Sequence, residues 1–208
     1  MDDRKRVPVA VLVSGGGTNL QALLDAVQAG KCPHVRIVRV ISDRPGAFAL
    51  ERAARAGIPH ASLDRKAPDF EEHLQRELDA SGARIIVLAG FLSILSPEFT
   101  ARHAGRMVNV HPSLIPSFCG TGFYGLRVHE AALARGVRVT GATVHLVNEI
   151  PDGGRILAQK AVEVLPGDTP EVLQRRVMEQ AEWVLLPACV EDLCRELSGA
   201  APSEQMKG

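Results

Sequence analysis

Apolar residues in this chain follow two rhythms, short unbroken runs and stripes at helical spacing. Residues 7–13 form an apolar run interrupted only by Pro8, the pattern of a central parallel strand covered on both faces. After the turn Ser14-Gly15-Gly16-Gly17-Thr18-Asn19, the residues Leu20, Leu23, Leu24 and Val27 recur at helical spacing as far as Gly30. A strand over 35–41 and a short helix over 47–56, closed by Gly57, repeat the alternation. Phe70, Leu74 and Leu78 mark an amphipathic helix reaching about Gly82, and 84–91 is a strongly apolar strand continued by Leu92-Ser93-Ile94-Leu95. Strands alternating with helices predict an α/β fold built on a mostly parallel sheet.

In the second half Ser96-Pro97-Glu98 opens a helix to about His103. Residues 106–113 read as a short buried strand in which Val108 and Val110 alternate with Asn109 and His111, so both polar side chains share one side. Pro112 cannot donate to a ladder and disfavours helix at His111, which ends the strand there. Residues 116–127 form a glycine-rich, aromatic loop long enough to cover a site, and a helix over 128–134 ends at Gly136. Residues 139–147 are a strand that places Thr143, His145 and Asn148 near one end. The turn 149–154 sends 155–164 back as an antiparallel partner, a hairpin that brings Asp152 close to His111. A long amphipathic helix starts at Asp168-Thr169-Pro170, with Pro187 expected to kink or divide it. Residues 198–208 read as a frayed, disordered tail.

At 208 residues, 46% hydrophobic and 23% charged, the chain has the size and make-up of one soluble α/β domain over 1–197, with no repeat and no interdomain linker. Its 24 basic and 24 acidic side chains cancel, which argues against general nucleic-acid binding. Four cysteines without CxxC spacing, no signal-peptide pattern and no membrane-length apolar run predict a cytoplasmic protein with reduced thiols and no membrane partner. No Cys/His spacing suggests a metal. Cys119, in the covering loop, is the thiol to watch, although a small filler is its commoner role.

Three stretches carry candidate chemistry. Glycines let backbone approach a ligand, and the N–H groups at a helix start favour an anion, so 14–19 suits a phosphate, with Thr18 and Asn19 adding donors. The loop is not a Walker A sequence, and it meets GxGxxG at Gly15 and Gly17 but has Leu20 in the third place. Asp43 either serves a nicotinamide ribose or opens a turn. Leu92 to Leu95 either line a flat apolar slot or belong to the core. Asn109 and His111 either satisfy backbone at a turn or supply an amide donor and a proton carrier to a reaction.

Together, Ser14-Gly-Gly-Gly-Thr-Asn19-Leu, Val87-Leu-Ala-Gly-Phe91, Asn109-Val-His111-Pro-Ser-Leu and Asp152-Gly-Gly resemble phosphoribosylglycinamide formyltransferases, in order and with compatible spacing from about Val7 to Leu197. The resemblance implies a Rossmann-like sheet flanked by helices, with an antiparallel C-terminal hairpin strand and a long C-terminal helix. It implies transfer of a formyl group from 10-formyltetrahydrofolate, a co-substrate, to the amine of glycinamide ribonucleotide, with small-molecule partners only and no metal. Asn109, His111 and Asp152 fall at the family's catalytic positions, and Gly16, Gly17, Thr18 and Asn19 at its phosphate positions. Glu182 falls at the glycinamide position once a one-residue gap after Arg176-Val177 is allowed; without the gap, Glu179 takes that place. Folate contacts would come from Arg65, Phe91, Leu92, Ser93, Ile94, Leu95, Asn109, Asn148, Glu149, Ile150, Pro151 and Asp152. Ser93 stands where many members have Arg, and the 121–128 loop is longer than usual. The resemblance leaves oligomeric state open.

Rival readings differ in acceptor or class. A formyl-folate hydrolase would use water and normally adds an N-terminal regulatory domain; methionyl-tRNA formyltransferase adds a C-terminal domain and a basic face. A nicotinamide-binding protein explains the first strand and Asp43 but leaves Asn109, His111 and Asp152 without a role. A non-catalytic phosphate- or nucleotide-binding Rossmann module would need the glycine loop but not a histidine paired with an acid.

Overall fold

The computed structural model describes residues 6–199, so the first five residues and most of the expected tail, 200–208, lie outside the described part. The chain forms two compact units, one made of the chain up to Phe91 and again from Pro187, the other of Leu92–Leu186.

In the first unit the strands are β1 (Val7–Val13), β2 (Val35–Ser42), β3 (His60–Ser62) and β4 (Ile85–Leu88), in the order β3-β2-β1-β4 and all parallel. Val9 to Val13 of β1 are completely buried, as the unbroken run requires of a strand covered on both faces. The helices α1 (Thr18–Gln28), α2 (Phe48–Arg55) and α3 (Phe70–Ser81) join successive strands, burying Leu20 and Leu23, Ala49 and Ala53, and Leu74 and Leu78. Gly82, at φ +66, ends α3 in the left-handed region that a side chain disfavours. β3 was not foreseen, because three residues at a sheet edge are too few to show a period. β4 is shorter than the apolar run, stopping at Leu88 before Gly90 turns at φ +71.

In the second unit α4 (Pro97–Arg102) is capped by Ser96 Oγ, which accepts from Phe99 N–H at 3.1 Å. The strands β5 (Met107–His111), β6 (Val139–Leu146) and β7 (Ile156–Glu163) run in that order, β6 antiparallel to both neighbours. Between β5 and β6 lies α5 (Leu126–Arg135). The helix α6 (Pro170–Val177), with the π turn that follows it, packs Leu173, Val177 and Ala181 on Ala142 and Val162. The expected parallel sheet with an antiparallel C-terminal hairpin and flanking helices is thus present.

The last helix departs from expectation. Its interruption is a π turn at Met178–Glu182, and Pro187 lies inside α7 (Trp183–Leu197). Proline leaves the carbonyl four residues back without its donor and crowds it; a wider turn just before that carbonyl is a place where a continuous helix can absorb the mismatch.

Candidate active site

The chemistry-bearing side chains of the second unit converge on one face of the β5–β6 ladder. In the antiparallel ladder Asn109 stands opposite His145 and His111 opposite Thr143. His111, Thr143 and His145 are buried. Beyond β6, Asn148 Oδ1 accepts Ile150 N–H at 3.1 Å and Gly153 N–H reaches Ile150 O at 2.9 Å, folding the turn that carries Asp152. Asp152 sits at φ +56, a conformation that aspartate tolerates better than most residues. At Gly154 a Cβ would lie 1.8 Å from Leu146 O, so only glycine lets the two strands close behind the turn.

This turn sets Asp152 Oδ2 3.4 Å from His111 Nδ1, and Asp152 Oδ1 3.5 Å from His145 Nε2 and 3.4 Å from the Asn109 amide nitrogen. The other His111 nitrogen, Nε2, donates to Phe118 O at 2.8 Å. Both ring nitrogens of His111 therefore face oxygen acceptors. His145 Nδ1 donates to Leu146 O at 2.8 Å, leaving Nε2 to face the Asn109 amide at 3.2 Å. Burial alone would raise the Asp152 carboxyl, but contact with His145, the charge of His111 and a 2.8 Å bond from Gly120 N–H hold it below the ordinary carboxylate range. The site is a partly buried carboxylate flanked by two imidazoles and an amide.

The loop 116–125 closes over these groups. Thr143 Oγ1 donates to Ser113 O at 2.6 Å and accepts Ile115 N–H at 3.1 Å, fastening the start of the loop to β6. Phe118, at φ +49, is held in the left-handed region that bulky residues avoid, and its carbonyl is the one that meets His111. Cys119 Sγ donates to Pro116 O at 3.3 Å, and burial together with the Asp152 charge pushes its thiol upward, away from the reactive thiolate.

The remaining sequence candidates are distributed as follows. Leu92 and Ile94 are exposed, Ile94 at 76%, whereas Leu95 is buried, so this stretch is only partly core. Asn148, Glu149, Ile150 and Pro151 make the Asp152 turn, with Ile150 58% exposed. Glu182 is buried at the end of the π turn while Glu179 is exposed. Gly16, Gly17, Thr18, Asn19, Arg65 and Phe91 belong to the first unit, where Gly17 is the N-cap of α1 and Arg65 is exposed in the loop before α3. Asp43 is buried at the end of β2, its N–H bonded to Val13 O. Among the described residues no three His, Cys, Asp or Glu side chains converge as a metal-binding set, and no helix is long and apolar enough to cross a membrane.

Two residues escaped the sequence reading. The sequence puts His145 near the strand end without indicating a role for it; the β5–β6 register makes it the neighbour of Asn109. His129, on α5, is completely buried, and neither ring nitrogen has a hydrogen-bond partner among the described residues. Burial, aided by the charge of His111, lowers it to about 4. Nothing in its helical pattern separates it from an ordinary surface histidine.

Comparison with known proteins places the chain in one family. The formyl transferase family model matches residues 7–189. The chain is 40% identical over 189 residues to the phosphoribosylglycinamide formyltransferase of Haemophilus influenzae, covering 88% of this chain and 85% of that one. It is 43% identical over 190 residues to the trifunctional purine biosynthetic protein adenosine-3 of Gallus gallus, covering 89% of this chain but only 18% of that much longer protein. Among solved structures, glycinamide ribonucleotide transformylase 1 from Symbiobacterium toebii superposes with a TM-score of 0.85 at 38% identity, covering 92% of this chain and 89% of that one. A formyltetrahydrofolate deformylase from Pseudomonas syringae gives 0.82 at 26% identity, covering 92% and 62%. Identity of this level, sustained along nearly the whole chain, means that the chain belongs to the formyl transferase family.

Proposed function

We propose that this chain transfers the formyl group of 10-formyltetrahydrofolate to the amine of 5′-phosphoribosylglycinamide, acting as one formyltransferase domain over 1–197 in the cytoplasm. The observation that carries the reading is the position of His111, with an ionised Asp152 at one ring nitrogen and a displaceable carbonyl at the other.

The acceptor amine attacks the formyl carbon; as the new C–N bond forms, the carbonyl electron pair moves onto oxygen. His111 Nε2–H turns from Phe118 O to that oxyanion, joined by the Asn109 amide, and the two donors hold the charge that develops only in the transition state. Asp152 keeps the imidazolium favourable and orders a water that takes the amine proton. The bond from carbon to N10 then breaks as the oxyanion collapses, and the relayed proton ends on the folate nitrogen. Gly16, Gly17, Thr18 and Asn19 hold the acceptor phosphate, and Glu182 its glycinamide end. Phe91, Leu92 to Leu95 and the 148–152 turn hold the folate, the exposed Ile94 and Ile150 offering apolar surface, with Arg65 a further folate contact.

An assay of folate deformylation with and without 5′-phosphoribosylglycinamide, on wild type and His111→Ala, tests the reading. Acceptor-dependent turnover that disappears in His111→Ala is expected. Deformylation indifferent to the acceptor would replace the transferase by a hydrolase, and no turnover at all would leave a phosphate-binding module.

A further inference from the structure

The glycine loop is held from behind by α2. Ala49 N–H donates to Gly15 O at 3.0 Å, Arg52 Nε–H donates to Gly16 O at 2.8 Å, and Arg52 Nη1 donates to Gln21 Oε1, in the first turn of α1, at 2.9 Å. The Phe48 ring lies 5.0 Å from the Arg52 guanidinium and steadies it by a cation–π contact. Gly17, at φ +71, packs so tightly on α2 that a Cβ there would meet Ala49 Cβ at 2.6 Å.

In a planar trans peptide the C=O and the following N–H point in opposite directions. Fastening the Gly15 and Gly16 carbonyls to α2 therefore turns the N–H groups of Gly16 and Gly17 to the opposite side. A loop whose donors are oriented before a ligand arrives loses less entropy on binding. We propose that Arg52 is a positioning residue for the acceptor's phosphate: by gripping the Gly16 carbonyl and Gln21 it aims the Gly17 N–H and the start of α1 at the anion, and its charge adds to the favourable potential there. The inference rests on the reading of 16–19 as the phosphate subsite and adds a residue outside that loop.

The test compares kcat and KM for 5′-phosphoribosylglycinamide and its dephosphorylated riboside in wild type, Arg52→Gln, Arg52→Lys and Gln21→Leu. Losing a charged hydrogen bond is expected to raise KM for the phosphorylated acceptor about tenfold in Arg52→Gln. The KM for formyl folate should move by less than about twofold, and the lysine variant, which keeps charge and one donor, should recover part of the loss. Preference for the phosphorylated acceptor should shrink in the same proportion, and by a smaller factor in Gln21→Leu. If wild type shows no such preference, the phosphate reading of the loop falls and the inference falls with it. If wild type shows the preference and Arg52→Gln keeps it, or raises both substrates' KM alike, the inference alone is overturned. Should Arg52→Gln fail to fold, an unchanged preference in Gln21→Leu overturns it equally.

Discussion

The Asn109 amide nitrogen lies 3.2 Å from His145 Nε2 because the two residues face each other across the β5–β6 ladder. With His145 Nδ1 committed to Leu146 O, the ring orientation is set and Nε2 backs the amide. Removing the ring in His145→Ala leaves a partly buried amide free to reorient, and the expected loss in kcat/KM is about ten- to a hundredfold, with acceptor KM changed far less. Steady-state kinetics on the variant check this; an unchanged kcat would show that Asn109 holds its place without His145.

Asp152→Asn keeps shape but removes charge from between two imidazoles. The expected fall in kcat is about a hundred- to a thousandfold, as for other losses of transition-state electrostatics. Because the Asp152 carboxyl is held below its ordinary value, it stays ionised as pH falls through the usual carboxylate range. The part of the wild-type acid limb due to this group should therefore lie below that range, and a pH–rate profile locates it.

His129 makes stability depend on pH. Its folded value, about 4, lies below the ordinary 6.5, so between these values the unfolded chain binds a proton that the folded chain refuses. Stability is therefore full above about 6.5 and declines as pH falls towards 4, by at most about 3 kcal/mol. Urea denaturation of wild type and His129→Leu at pH 7 and pH 5 should show a smaller acid loss in the variant.

Gly154→Ala would press a methyl group into Leu146 O. The hairpin must open to admit it, and a loss of about 3 kcal/mol or more is expected, with the Asp152 turn displaced. Thermal denaturation and activity should fall together, whereas alanine at Gly15, where a Cβ meets nothing within 4 Å, should cost little stability.

Glu182 and Glu179 can be separated by charge removal. Burial at the end of the π turn suits Glu182 to an acceptor amine or amide, and Glu179 faces solvent. Glu182→Gln is expected to raise acceptor KM about tenfold or more, and Glu179→Gln less than about twofold, measured at saturating formyl folate.

Much of the fold follows from periodicity alone. The run at 7–13, the helical stripe at 70–78 and the Val–Asn–Val–His alternation at 108–111 each name an element because burial of one face imposes its period on the sequence. Proline and glycine signals at 96–98, 136 and 168–170 placed helix ends for the same local reason. Where no face is imposed the signal is missing, as at the edge strand β3, and a register slip such as the π turn at 178–182 carries no residue signal of its own, the nearest cue, Pro187, lying further on inside α7.

Local pattern suffices for the alternating α/β order, for the strand that delivers Asn109 and His111 on one side, and for the hairpin turn that carries Asp152, since each rests on contacts within a few residues or one turn. Packing between distant segments settles that His145 stands behind Asn109, that the Phe118 carbonyl meets His111, that His129 is buried within range of the His111 charge, and that Arg52 grips the glycine loop. Those relationships depend on strand register, loop path and helix packing between residues 7 to 36 positions apart. Such distances leave no period in a single sequence, because many residues at the same position would satisfy the local rules equally well.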